Sequence, residues 1–172
     1  MAAPTYVNQW LQGYPTPRGK EMLRPLLNAY ADRLSCVATS TAGLVITATA
    51  GKYVPKIGAV PFAGFVKGVP VAIAAGTDMP SLGATNTFTT GQYRIYCFFI
   101  DAASAVTSAA GTAGATLALA TFPPFPEGKT LVGYIVVTYA GTFTPDTTAL
   151  DTATTVYVSP VGALDPNVLI TN

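Results

Sequence analysis

Reactive side chains are few in this sequence, and their types restrict its chemistry. Histidine is absent. That removes the usual general base near neutral pH and the commonest zinc ligand. Ser-His-Asp and Cys-His nucleophile arrangements go with it. No G-x-x-x-x-G-K-[ST] or G-x-G-x-x-G stretch opens a helix pattern, so no phosphate cradle is visible. Carboxylates remain, and Asp146 and Asp151 sit together in "TPDTTALDTAT". Paired acids can hydrolyse glycosides. Acids with threonine and backbone oxygens can hold calcium. The stretch lacks EF-hand spacing, however, and acids in Thr-rich turns usually accept hydrogen bonds from their own backbone. Turn chemistry is the expected role. The sequence leads us to assign no catalytic residue, no metal ligand and no cofactor site.

The other candidates are the thiols and the aromatics. Cys36 and Cys97 have no C-x-x-C spacing. They are expected to be free thiols that behave as small hydrophobes. Tyr93, Tyr96, Phe98 and Phe99 fall in one run. Read as a strand, it puts Tyr96 and Phe98 on one side, with Arg94 and Phe99 on the other unless a bulge intervenes. An exposed aromatic face could stack sugars, but a core face accounts for most of these residues. In "LVGYIVVTY", Tyr134 and Val136 share one face, and Ile135 and Val137 share the other. A strand apolar on both sides needs cover on both sides, from its own sandwich or from a neighbouring subunit.

The elements around these residues read as mainly β. From Leu44 onward, Val, Ile, Thr, Tyr and Phe runs alternate with Gly and Pro punctuation. Strands are predicted over 44–49, 64–66, 70–74, 85–89, 93–100, 116–121, 131–139 and 154–158. Turns fall at Ala50-Gly51, Lys67-Gly68, Gly76-Thr77, Glu127-Gly128 and Gly141-Thr142. Short strands without intervening helices predict an antiparallel β-sandwich, a jelly-roll-like fold or a barrel. The Ala/Gly/Thr-rich stretch 101–120 is read as a hairpin followed by a strand. A weak echo relates "VAIAAGTDMPSLGATNTFTTGQYRIY" to "VVTYAGTFTPDTTALDTATTVYVS". Two stacked β units, or chance in an Ala/Thr-rich chain, would produce it.

The division expected is an arm with an amphipathic helix over 1–40 and a β domain over 41–172. The arm combines Pro4, Pro15 and Pro17 with Tyr6, Trp10, Leu11 and Tyr14. Its prolines oppose regular structure, and its aromatics suit a segment that orders on docking. In "KEMLRPLLNAYADRLSC", Leu23, Leu26, Leu27, Tyr30 and Leu34 follow the spacing of one helix face. Six of the seventeen charged residues fall in this region, Arg18 just before the stretch and five within it. They suit a solvated face.

Composition bounds the partners. Charged residues are 10% of the 172, against roughly 25% in an average domain. A chain so poor in charge is expected to hide surface in an assembly. Net charge is +1 with no basic run, so no nucleic-acid partner is expected. No apolar run reaches the roughly 20 residues of a bilayer span, so no membrane partner is expected. The N-terminus does not read as a signal peptide. The chain reads as soluble, made and kept in a cytoplasm or released from one.

Four segments then carry a resemblance: "VKGVPVAIAAGTDMPSL", "YRIYCFFIDAASAVT", "FPPFPEGKTLVGYIVVTYAGTFTPDTTALD" and "TVYVSPVGALDP". Across roughly residues 60 to 166 the chain resembles small virion proteins of tailed bacteriophages. The resemblance implies a capsid decoration or cement protein, or the base of a head fibre. It implies a homotrimer on the outer capsid surface, made in the host bacterial cytoplasm, with the major capsid protein as partner and no small-molecule substrate. The alternative is a head or tail fibre module that binds host glycans. The arm and helix lie outside the matched pattern. On physical grounds alone, Tyr6, Trp10, Leu11, Tyr14, Arg18, Leu23, Leu27, Tyr30 and Leu34 are the contact candidates, with Trp10 foremost because Trp and Tyr dominate interface energies.

Overall fold

A computed structural model describes residues 35–162 together with Leu27. Among these residues, nine strands form three antiparallel sheets. β1 (Cys36–Ala38), β4 (Phe62–Val66) and β5 (Val69–Ile73) make a three-stranded sheet in the order β1-β4-β5. β2 (Val45–Ile46) and β3 (Pro55–Lys56) make a small ribbon. β6 (Tyr93–Asp101), β7 (Val106–Ala110), β8 (Lys129–Thr138) and β9 (Thr154–Val158) make a four-stranded sheet in the order β7-β6-β8-β9. The fold is mainly β and sandwich-like, as expected, and of the predicted alternatives the closed barrel is not formed.

The main core fills the space between the two larger sheets. Ala38, Phe62, Val66, Val71 and Ile73 from one meet Tyr96, Phe98, Ile100, Val132, Ile135 and Val137 from the other. Thr130 on β8 donates its hydroxyl to the Phe65 carbonyl at 2.7 Å and ties the layers together. Phe143 is fully buried, stacked on Phe88 and meeting Tyr96 and Tyr139 at steeper angles, so it ties the long loops to the core.

The second face of the four-stranded sheet is covered by the chain itself. Ile95, Cys97, Phe99, Leu131 and Tyr134 pack there with Ala120, Phe122 and Phe125. The strap that covers them contains a single 3-10 turn, Leu117–Leu119, where a strand over 116–121 was expected. Thr116 accepts from the amides of Leu119 and Ala120, and these local bonds replace a ladder. The strand of this region is instead β7, and it forms a hairpin with β6.

Local chemistry explains the register. Lys67 and Gly68 both have positive φ, which makes the two-residue turn whose twist suits the β4–β5 hairpin. At the β6–β7 turn, the Asp101 carboxylate accepts from the amides of Ala103 and Ala105 at 2.9 and 3.0 Å. β8 carries a bulge: Phe98 pairs with Gly133 and Phe99 with Leu131, so Val132 is the extra residue. The alternation of faces therefore reverses there. Leu131 faces the strap, Val132 the main core, Tyr134 the strap and Ile135 the main core. β6 itself alternates without interruption. Arg94 consequently lies on the Tyr96 side, not opposite it, and its guanidinium donates to the carbonyls of Thr87 and Gly111 at 2.8 Å each.

The predicted strand over 85–89 is reduced to one bridge, Phe88 to Phe143. The sequence echo is not a structural repeat. Its first half links β5 to β6, in different sheets, and its second links β8 to β9, which are neighbours.

Candidate contact surface

The side chains that could have been catalytic are each engaged by a partner of their own. Asp146 accepts from the Ser81 hydroxyl, and Asp151 pairs with Lys52 at 2.8 Å on the surface. Lys52 holds the Asp151 carboxyl below its usual range, chiefly through that hydrogen bond. Around both acids, Thr144, Thr148, Ala149 and Thr152 bond one another in tight turns. Among the described residues, no group of three or more Cys, Asp or Glu is placed to hold a metal ion. Every buried side-chain nitrogen or oxygen there has a hydrogen-bond partner, so none is left aimed at a ligand.

A third acid was not anticipated. Asp78 accepts from the hydroxyls of Thr47 and Thr49, the latter at 2.7 Å. These bonds, Thr47 first, and the nearby Lys56 hold its carboxyl below the usual value, against a small opposing cost of burial. The cluster fastens the segment after β5 to the β2–β3 ribbon, where Lys56 and Asp78 form a bridge. Its role is architectural.

Both cysteines are free. Cys97 is fully buried, and burial pushes its thiol well above the ordinary value, so it is inert in the folded chain. Tyr96 is fully buried as well, and its hydroxyl donates to the Asn86 carbonyl at 2.8 Å.

What the surface does offer is apolar. On the three-stranded sheet, Phe62, Val66, Val71 and Ile73 point inward. Alternation leaves Val37, Ala63, Phe65, Pro70 and Ala72 on the outer face. None of these five is polar, and Phe65 stands 43% exposed. Most exposed faces of antiparallel sheets are polar, so this one is unusual. Leu117, Leu119 and Val156 are also exposed, each on a different element from that face. Phe65 is the one exposed aromatic side chain among the described residues, so no row of open rings suited to sugar stacking occurs there.

Of the contact residues expected from sequence, Leu27 is helical and half-buried. Tyr6, Trp10, Leu11, Tyr14, Arg18, Leu23, Tyr30 and Leu34 lie outside the described residues. The chain from that segment enters directly at β1, since Cys36 already pairs with Val66. Gly162 bonds to Ala38 on the other edge of β1, so both end segments, 1–34 and 163–172, join the domain at one strand. Sequence reading missed the apolar outer face because β1 and its pairing with β4 were not foreseen.

No protein-family model, no curated protein and no solved structure matches the chain.

Proposed function

We propose that this chain is a structural protein of a bacteriophage particle, a decoration or cement protein that binds the outer surface of the head as a trimer. The observation that carries the reading is the wholly apolar outer face Val37–Ala63–Phe65–Pro70–Ala72 beside the strand where segment 1–34 joins. A free monomer gains nothing from such a face, whereas a docked copy buries it. The low charge of the chain and its resemblance over residues 60–166 point the same way. The partner is the major capsid protein. A cement protein acts by mass action: it binds the assembled lattice and not the free subunits, and each bound copy adds its binding free energy to the stability of the lattice. The aromatic arm, Trp10 foremost, supplies docking contacts. Among the described residues, no comparable surface supports the glycan-binding alternative.

The test uses capsids stripped of the protein. Adding the purified chain should restore a full complement on sedimentation and raise the temperature at which capsids release their contents. A chain lacking residues 1–19 should retain the β spectrum and thermal melt of the parent but fail to co-sediment. Full decoration by that truncation would remove the arm from the mechanism. Failure of the intact chain to bind capsids would overturn the proposal.

A further inference from the structure

We propose that the free edge of β9 is a contact between copies of this chain, with β9 of one copy antiparallel to β9 of a second about a two-fold axis at Val156. The inference does not rest on the capsid reading. β9 is the last strand of its sheet, and among the described residues none pairs with its outer side. The direction of its backbone groups follows from the Val158 carbonyl. That oxygen is aimed at β8, 2.8 Å from where a Cβ on Gly133 would stand. By alternation, the groups of Val156 and Thr154 also face β8, and the N–H and C=O of Thr155 and Tyr157 face outward.

Unpaired edges of this kind normally carry a device that blocks strand addition: a charge, a proline or a bulge. Elsewhere the fold has them. β5, for one, has Pro70. β9 reads Thr-Thr-Val-Tyr-Val, with no charge, no proline and a regular register to β8. It is also self-complementary. With the axis at Val156, Thr155 of each copy lies opposite Tyr157 of the other, and every outward group finds a partner. Val156 then meets its own counterpart in a close, non-hydrogen-bonded pair, with no charge brought against like charge. Val156 is 55% exposed and stands opposite Val136 at the margin of the outer cluster. Pairing would join the two clusters into one continuous apolar face and two four-stranded sheets into one of eight. A second copy suits the edge better than the chain's own end segments, because the chain leaves β9 for β1, where Gly162 pairs with Ala38. Strand pairing of this type joins copies two at a time, so on a particle it would link one threefold cluster to the next.

The experiment is disulfide trapping in the full chain with Cys36→Ser, which leaves only the buried Cys97. Val156→Cys should form a two-chain disulfide under mild oxidation, and Val60→Cys, exposed on a loop, should not. Val156→Lys should weaken self-association at least tenfold by sedimentation velocity while the thermal melt stays unchanged. Three results would each overturn the proposal. One is a monomeric parent in which Val156→Cys does not cross-link. Another is slow amide exchange of Thr155 and Tyr157 in a monomer, which would mean that the chain's own end segment covers the edge. The third is cross-linking of Val156→Cys only to a cysteine placed on β7, which would mean a head-to-tail junction.

Discussion

Gly133 shows how much a single position decides. A Cβ there would stand 2.6 Å from Leu44 Cδ1 and 2.8 Å from the Val158 carbonyl oxygen. Leu44 can yield, but the carbonyl belongs to the β8–β9 ladder. Gly133→Ala should cost about 1–3 kcal/mol by chemical denaturation. Cys97 gives a different readout. Its burial should leave it unreactive to a thiol reagent until the chain unfolds, with half-buried Cys36 modified first. Asp78 makes stability depend on pH. Its folded carboxyl titrates below the ordinary 3.8, so the unfolded chain binds the proton more readily. Its stabilising contribution is full above 3.8 and is lost as pH falls through the lower folded value. Asp78→Asn should flatten the decline in thermal stability on acidification. The effect is small because the carboxylate is exposed.

At the scale of elements, turns were legible and edges were not. Lys67-Gly68 has a local signature, and the hairpin it closes lies where it was expected. Gly68 has a φ of +79, so Gly68→Ala should destabilise by about 1–2 kcal/mol. Nothing local distinguished Val106–Ala110, a strand, from Leu117–Leu119, a 3-10 turn. Both are runs of small and apolar residues, and pairing with β6 decided between them. Asp101 belongs to both levels: one side chain fixes the β6–β7 turn by accepting from two amides. The bulge at Val132 has the same standing. The sequence shows "LVGYIVV" as apolar on both sides, but only the pairing with β6 shows where the faces exchange.

For the molecule as a whole, the two sheets and the strap should melt as one unit, because β8 contributes to both clusters. Phe143 joins the long loops to that core through Phe88, with ring centroids 5.1 Å apart. Phe143→Ala should cost about 3–5 kcal/mol and lower a single cooperative transition without splitting it, measured by calorimetry.

The sequence by itself determined what is written in neighbours. It set the β class, the turn positions, the lack of histidine chemistry and the two-sided apolar character of β8. These follow from residue type and period, which act over a few positions. The tertiary structure decided what covers each face of β8: the three-stranded sheet on one side, the chain's own Phe122–Phe125 strap on the other. It also decided that Val37, Phe65 and Pro70 share one outward face and that β9 stands at an edge. Those facts depend on pairings between residues far apart in the chain, and no local period records which distant strand will lie alongside.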